Sequence, residues 1–417
     1  MLMDKFIIQT EAKRCLECKH KPCVYACPAH NNIPEYMSKI KQGLWEEART
    51  IWHSTSNLPE LCGSLCQNEN MCEGACTLNK IHKPVKIGFI EKGVSELFKE
   101  IVDYPKDKIN HRHLVIGLGP AGIANALKMA EYGYIVEAID SNALLGGTVY
   151  NLVPDFRFDK SILNDIQHKF DRLGIKIRYN TYVGKDVLLK DLIHEYDTIF
   201  IADGLGLPSS VDIQVEHLKV YYAQDLLNKN IYSKKDLSAM LGDKIYIVGL
   251  GNVAIDMART LRRLHKEVHI IYRRTIEDAP AGKSEIEAAI NEGVTIHELI
   301  GPVSYKMKNK IKLLNCEKTC LVQSTTGGRG LVQRVPNSET YFQIDDLIFA
   351  TGQKTSEVLF HDSGVVQTPE ISPFATNYPH IFVGGDRINK NKRIVDAMVT
   401  GLTVANQIAK GSYETNH

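Results

Sequence analysis

The stretch HLVIGLGPAGIANALKMAEYG, residues 113–133, decides how this chain folds. HLVIG is a short apolar run of the kind a strand buried on both faces shows, and an alanine-rich helical stretch follows it. Between them lies Gly117-Leu-Gly119-Pro120-Ala121-Gly122. Glycines at this spacing, after a strand and at the start of a helix, allow a tight turn and let backbone N–H groups approach a pyrophosphate at the helix N-terminus. The next apolar run, YIVEAID, ends in Asp140, placed for a ribose hydroxyl. Gly146 and Gly147 then offer a second close approach, and a distal turn, HIFVGGD, brings Gly385 and Asp386.

A second copy of the same device begins at Lys244, KIYIVGLGNVAIDMARTLRRL, with Gly249, Gly251, Asn252, Val253 and Ala254 in the turn. An internal repeat about 130 residues apart gives one chain two crevices for two dinucleotides. Here the following strand, VHIIYRR, ends in Arg273 and Arg274 instead of an acid. Two guanidinium groups beside a ribose match a 2′-phosphate, so this unit is expected to take NADPH and the first a different dinucleotide. Residues 296–352 read as β-rich and end in DLIFATG, whose turn holds Ala350, Thr351 and Gly352.

Ahead of these units the cysteines crowd together: eight of ten fall between Cys15 and Cys76. Their motifs are Cys15-x2-Cys18-x4-Cys23-x3-Cys27-Pro28 and Cys62-x3-Cys66-x5-Cys72-x3-Cys76. Thiolates are soft, charged ligands, and spacings of two to four residues let successive sulfurs wrap an iron–sulfur cubane, the cysteine before proline commonly serving a neighbouring cluster. Disulfides or zinc are the alternatives. Zinc ribbons favour paired C-x2-C, of which one occurs here, so the spacing favours iron–sulfur. Cys316 and Cys320 stand apart without flanking His or Cys and read as incidental thiols. Apolar positions from Ile33 to Trp52 keep helical spacing after Asn32 and Pro34, predicting helix between the cysteine motifs.

The expected fold class is α/β: a helical N-terminal domain binding two iron–sulfur clusters (1–105), an FAD-binding Rossmann-like domain (106–240 plus 351–417), and an NADPH-binding one (241–350) inserted into it. Residues 103–113, polar and aperiodic, read as a linker. With 50 Lys+Arg against 49 Asp+Glu there is no basic field for nucleic acid and no acidic tail. No apolar run reaches membrane-spanning length and the start lacks a signal-peptide pattern, so a cytoplasmic chain without membrane contact is expected. No H-E-x-x-H, G-x-S-x-G or P-loop supports hydrolase or NTPase chemistry.

Taken together, RCLECKHKPCVYACPAHNNIPEYM, GLWEEA, NLPELCGSLCQNENMCEGACTL, VKIGFIEKGV, both glycine turns, YRR, FATGQ and VGGD resemble the family of the glutamate synthase small (beta) subunit. The N-terminal electron-input half of dihydropyrimidine dehydrogenase and the large subunit of flavin-bifurcating NADPH–ferredoxin transhydrogenase are similar in the same way. The resemblance implies one [4Fe-4S] cluster on Cys15, Cys18, Cys23 and Cys76. It implies another on Cys27, Cys66, Cys72 and Glu91, with Cys62 spare. It also implies a flavin site involving Asp140, Gly147, Thr148, Arg157 and Asp386, and an NADPH site involving Asn252, Arg273, Arg274 and the Ala350–Gly352 turn.

Three positions depart from the family. Gln67 stands where proline usually follows the second-motif cysteine, which leaves Cys62 and Cys66 as alternative ligands. Val153 replaces a glycine near the flavin, and Asp203 replaces a small or hydroxyl residue, with an expected effect on flavin potential. The function implied is electron input: NADPH to FAD, then single electrons through two clusters to a larger redox subunit like that of glutamate synthase, or to ferredoxin. Hydride transfer needs orientation and no dedicated acid or base, so no catalytic side chain is expected. A self-contained NAD(P)H oxidoreductase and a redox-sensing flavoprotein are the rival readings, and a homo-oligomer is left open.

Overall fold

The computed structural model describes residues 4–98, 109–209, 211–228, 231–322 and 330–411. Of the expected linker, residues 103–108 lie outside them, and its end is already strand. The chain opens with short helices, α1 (Lys5–Ala12), α2 (Pro22–Ala26), α3 (Ile33–Lys41), α4 (Trp45–His53), α5 (Pro59–Leu65) and α6 (Ile87–Leu97). Asp4 caps α1 by accepting from the Phe6 N–H at 2.8 Å. The single apolar stripe read over 33–52 is in fact two helices. Gly43, at φ 77°, takes the left-handed conformation that ends α3, and Leu44 starts α4. Both stripes still meet in one core, where Ile8, Tyr36, Met37, Ile40, Trp52 and Ile90 are buried.

The first glycine unit follows: β1 (Arg112–Ile116), α7 (Pro120–Glu131), β2 (Ile135–Ile139), α8 (Thr148–Asn151), α9 (Ser161–Leu173), β3 (Lys176–Arg178), α10 (Leu189–Leu192) and β4 (Thr198–Ile201). The chain then leaves for β5 (Leu207–Pro208), β6 (Gln214–Val215), β7 (Val220–Tyr222), α11 (Ala223–Leu227), α12 (Lys234–Met240), β8 (Lys244–Val248), α13 (Asn252–Arg262), β9 (Glu267–Tyr272), α14 (Lys283–Asn291), β10 (Thr295–Glu298) and three long strands, β11 (Ile300–Lys308), β12 (Ile311–Val322) and β13 (Leu331–Gln343). After β14 (Asp346–Phe349) and β15 (Gln353–Lys354) it returns with β16 (Ile381–Val383) and α15 (Ile394–Ala409).

Two parallel five-stranded sheets result, ordered β16-β4-β1-β2-β3 and β10-β9-β8-β14-β7. The glycine-turn strands β1 and β8 sit at the centre of each, and both are buried along nearly their whole length. The repeat read in the sequence is therefore a repeat of topology. Strands β11, β12 and β13 form a separate antiparallel sheet.

The chain divides into two compact units: Met1–Tyr150 with Phe158–Gly206 and Thr355–His417, and Asn151–Arg157 with Leu207–Lys354. This moves one expected boundary. Residues 207–240 lie with the second unit rather than the first, because β7 pairs with β14 through Leu347 opposite Val220 and Phe349 opposite Tyr222. The N-terminal helices share the first unit with the first sheet. The buried Asn57 amide donates to the Ala124 carbonyl on α7 at 2.8 Å, and Lys169 on α9 pairs with Glu60 at 2.8 Å. Within that unit His113 of β1 is wholly buried, and Asn125 Oδ1, which can only accept, lies 2.7 Å from its Nε2. The proton therefore sits on Nε2 and Nδ1 accepts from Thr198, 2.8 Å away. Burial holds this imidazole down to about 4. Among the described residues no helix is long and apolar enough to cross a membrane.

Candidate functional site

The eight N-terminal cysteines part into two hollows. Cys15, Cys18, Cys23 and Cys76 line one of about 390 Å³, with Leu16, Ile33, Met37 and Ile87. Cys27, Cys62, Cys66 and Cys72 line the other, of about 350 Å³, with Tyr36, Met71, Glu91 and Val395. Each motif thus sends three cysteines to one hollow and exchanges its last: Cys27 leaves its own motif, and Cys76 leaves the other. Proline at the head of α2 and the extended backbone of Cys27 turn the chain from the first hollow to the second. Ile33 and Ile87 belong to both linings and form the wall between them.

Among the described residues no trio of His, Cys, Asp and Glu converges tightly enough to hold a single metal ion. Thiols ringing a hollow fit a cluster with several metal atoms better than one zinc. Burial pushes Cys23 up to about 11 and raises Cys15, Cys27 and Cys72 as well. Thiolates are thus disfavoured until a cation arrives, and loading must displace protons. Glu91, buried on α6, is pushed up to about 8 by desolvation, although the Trp52 indole donates to its Oε1 at 3.0 Å. Tyr36 stacks on Trp52 with centroids 5.8 Å apart, and its hydroxyl is buried without a partner. Cys62 lines the second hollow as fully as Cys66 does. Its thiol, hydrogen-bonded to Cys66 and buried, is pushed well up. The spare cysteine of the sequence reading therefore stands beside its rival.

Around the first glycine turn three loops converge. Gly117, at φ 91°, needs its missing side chain, since a Cβ would come within 2.5 Å of the Ala202 carbonyl. Gly122 is tighter still: a Cβ there would fall 1.8 Å from the Gly117 carbonyl oxygen. Above Gly119 the space is open, and Gly147 approaches so closely that its Cβ would sit 2.9 Å from the Gly119 Cα. Pro120 and Ala121 begin α7, a 12-residue helix whose N-terminal end faces this cradle. Gly146 donates to the Leu118 carbonyl at 2.8 Å, and Thr148 starts α8 next to it. Asp140, buried at the end of β2, accepts from the Leu118 and Asn142 amides at 2.5 and 2.7 Å.

Gly385 and Asp386 follow β16, with the Gly385 N–H held by Thr400 at 2.8 Å. Asp386 is half-buried, pushed up to about 6 by desolvation, and its buried Oδ1 has no partner. A carboxylate with one buried, orphaned oxygen beside an open glycine cradle suits the hydroxyl-rich, pyrophosphate-bearing body of a flavin dinucleotide. Sequence reasoning passed over the next residue. Arg387 grips both oxygens of Asp203 at 2.8 and 2.7 Å, and its side chain is only 2% exposed. Asp203 therefore does not bring an unmatched charge to the turn. The signal was present in the sequence, since Arg387 directly follows the expected Asp386.

The second turn is built alike. Gly249, at φ 116°, stands where a Cβ would lie 2.5 Å from the Ala350 carbonyl, and a Cβ at Gly251 would meet Pro280 Cγ at an ordinary 3.7 Å. Asn252 and Val253 head α13. Ala350, Thr351 and Gly352 form the neighbouring turn, with the Ser209 N–H donating to Gly352 at 3.0 Å. The two arginines at the end of β9 differ: Arg273 is exposed, whereas Arg274 donates to the Gly330 carbonyl at 2.8 Å. Arg157, which the family resemblance gives to the flavin site, lies in this second unit, and its guanidinium pairs with Asp256 on α13 at 2.6 Å and with Glu285 at 3.5 Å. Phe156 beside it carries Arg259 and Arg263 over its ring, at 4.9 and 4.0 Å, which anchors this excursion of chain. Cys316 is buried in the antiparallel sheet and Cys320 is exposed, neither near another thiol motif.

Two parallel sheets with paired glycine turns, joined to a thiol-lined helical region, define a class of flavin- and nicotinamide-linked oxidoreductase with iron–sulfur. The comparisons agree: the chain belongs to the pyridine nucleotide-disulphide oxidoreductase family, whose model matches residues 111–401. Residues 2–102 match dihydropyrimidine dehydrogenase domain II, 4Fe-4S cluster. Among curated proteins it is similar to the glutamate synthase [NADPH] small chain of Escherichia coli K12, 29% identical over 96% of this chain and 90% of that one. It is also similar to the NAD-dependent dihydropyrimidine dehydrogenase subunit PreT of the same organism, 27% identical over 95% and 92%. A solved structure, Mycobacterium tuberculosis FprA in complex with NADPH, shares the fold with a TM-score of 0.60 at 18% identity, over 74% of this chain and 87% of that one.

Proposed function

We propose that this chain is an electron-input subunit that oxidises NADPH, holds FAD in the first unit, and delivers single electrons through two [4Fe-4S] clusters to a larger redox partner. The observation that carries this reading is the division of the cysteines into two hollows within the same compact unit as the first glycine turn. The cradle of Gly117, Gly119, Gly122 and Gly147 and the start of α7 would meet the pyrophosphate, with Asp140 fixing the loop and Asp386 offering its unpartnered oxygen. Asn252, Val253 and the Ala350–Gly352 turn would receive the nicotinamide nucleotide, with Arg273 as the exposed guanidinium for a 2′-phosphate. Cys15, Cys18, Cys23 and Cys76 would hold one cluster, and Cys27, Cys72, Glu91 and one of Cys62 and Cys66 the other. Bound flavin supplies the conversion between two-electron and one-electron transfer, which no side chain here provides.

No side chain is needed as acid or base. The glycine turns orient, and the apolar wall of Ile33 and Ile87 separates the two hollows. The larger partner is inferred from relatives named as subunits or chains of bigger enzymes. Anaerobic addition of NADPH to the full chain tests the reading. The flavin band should bleach and iron–sulfur absorbance fall with it, at an iron content near two clusters per chain, and NADH should act far more slowly. Failure to bleach, or iron for one cluster only, would overturn it. Glu91→Ala should alter the electron paramagnetic resonance signal of one cluster and leave the other.

A further inference from the structure

We propose that the surface over the first thiol-lined hollow is the electron exit, and that it receives a protein acceptor with an acidic face; this rests on the electron-transfer reading above. The two hollows are not equivalent in depth. The second lies against α15, whose Val395 is part of its lining. Helix α15 also touches the flavin cradle, since its Thr400 holds the Gly385 N–H at 2.8 Å and a Cβ at its Gly401 would lie 2.2 Å from the Ala121 carbonyl oxygen, so the second hollow is the one next to that cradle. The first lies beyond the Ile33 and Ile87 wall, and its lining residue Leu16 is 58% exposed. A carrier that takes electrons from this chain therefore approaches its own centre best over Leu16.

That approach is strongly basic although the whole chain is nearly neutral. Segments 13–25 and 76–86 supply the cysteines of the first hollow and also Lys13, Lys19, Lys21, Lys80, Lys83 and Lys86, all exposed. They are held side by side: Arg14 donates to the Lys83 carbonyl at 2.6 Å, and the Cys18 thiol meets the Thr77 hydroxyl at 3.1 Å. The acid within them, Glu17, is already paired with Lys41 at 2.6 Å. Exposed Tyr25 and Ile81, 75% and 62% accessible, add apolar ground among the lysines. A small apolar patch in a ring of like charge suits a transient encounter with a partner of opposite charge, in which steering sets the rate.

Lys19→Glu combined with Lys83→Glu tests this in the full chain loaded with flavin and clusters. Acceptor probes are a plant-type ferredoxin, which is acidic, and cytochrome c, which is basic, with bleaching of the flavin by NADPH as the internal readout. The expected result is ferredoxin reduction slowed by about tenfold or more at low salt, with bleaching and iron content unchanged and cytochrome c reduction undiminished. The deficit should shrink as salt shortens the Debye length from about 30 Å to about 8 Å. Equal losses with both probes, no change with ferredoxin, or no ferredoxin reduction by the unaltered chain would overturn the exit face alone. An unaltered chain whose flavin NADPH does not bleach would overturn the functional reading and the exit face with it.

Discussion

The two glycine-turn units carry the same backbone device and opposite ends. In the first, β2 closes on Asp140, buried and bonded to the Leu118 and Asn142 amides. In the second, β9 closes on Arg273 and Arg274, one exposed and one tied to Gly330. The turns differ as well, because Gly122 of the first is Ala254 in the second. A Cβ collides with the Gly117 carbonyl in one and is tolerated in the other, so α7 packs on its strand more closely than α13 does. One topology thus serves two ligands, with the difference written in a few side chains at the strand ends.

The strongest way to break that comparison is at the tightest contact. Gly122→Ala places a methyl 1.8 Å from backbone that cannot move aside, and should yield protein without flavin absorbance but with iron retained. The reciprocal Ala254→Gly should cost only about 1 kcal/mol of helix stability and leave nucleotide binding in place. If Gly122→Ala kept its flavin, the two turns would have to be treated as equivalent.

Acid should separate the units next. The buried His113 titrates near 4, against an ordinary value of 6.5. Above pH 6.5 it is neutral folded or unfolded. As pH falls from 6.5 toward 4 the unfolded chain binds a proton that the folded chain refuses, so the first unit loses up to about 3 kcal/mol. In the second unit burial outweighs Arg157 and lifts Asp256 to about 6 from an ordinary 3.8. Its contribution to stability is present below 3.8 and lost as pH rises toward 6, the opposite sign. Denaturant melts followed by flavin release should steepen in acid, and His113→Gln should flatten that dependence; an unchanged slope would remove His113 as its source.

The smallest effects should fall on the arginines. Arg273→Ala should weaken NADPH binding by about 1–3 kcal/mol, seen as a raised Kd in a titration, while NADH binds as before. Arg274→Ala should cost under about 1 kcal/mol, because its guanidinium is already occupied by a carbonyl. Equal losses for both cofactors would end the assignment of this strand end to a 2′-phosphate.

Much of this was legible in the chain itself. Both glycine turns, the strands ending in DLIFATG and HIFVGGD, and the exchange of Cys27 and Cys76 implied by the family resemblance agree with where the residues lie. Local signals carried the glycine turns and strand ends, since each depends on short spacing, whereas the cysteine exchange came from the family resemblance alone. What escaped was set by contacts between distant segments. Residues 207–240 join the second unit through pairings between distant segments, Val220 with Leu347, Val215 with Tyr305 and Leu207 with Lys354, which no local signal announces. The pairing of Arg157 with Asp256 could not be read either, because 99 residues separate the two. Helix α3 stopped at Gly43 although the apolar stripe ran on, a turn that a glycine within a periodic pattern signals only weakly.

The exchange of Cys27 and Cys76 has a bearing on how the protein matures and ages. Because each cysteine motif is anchored in both hollows, filling either one orders most of the chain that the other requires, and stripping either one slackens both. If both hollows hold clusters as proposed, iron should enter and leave this protein as a pair of clusters, giving cells empty chains and complete ones with few in between, so that oxidative damage at the exposed hollow silences the sheltered one too.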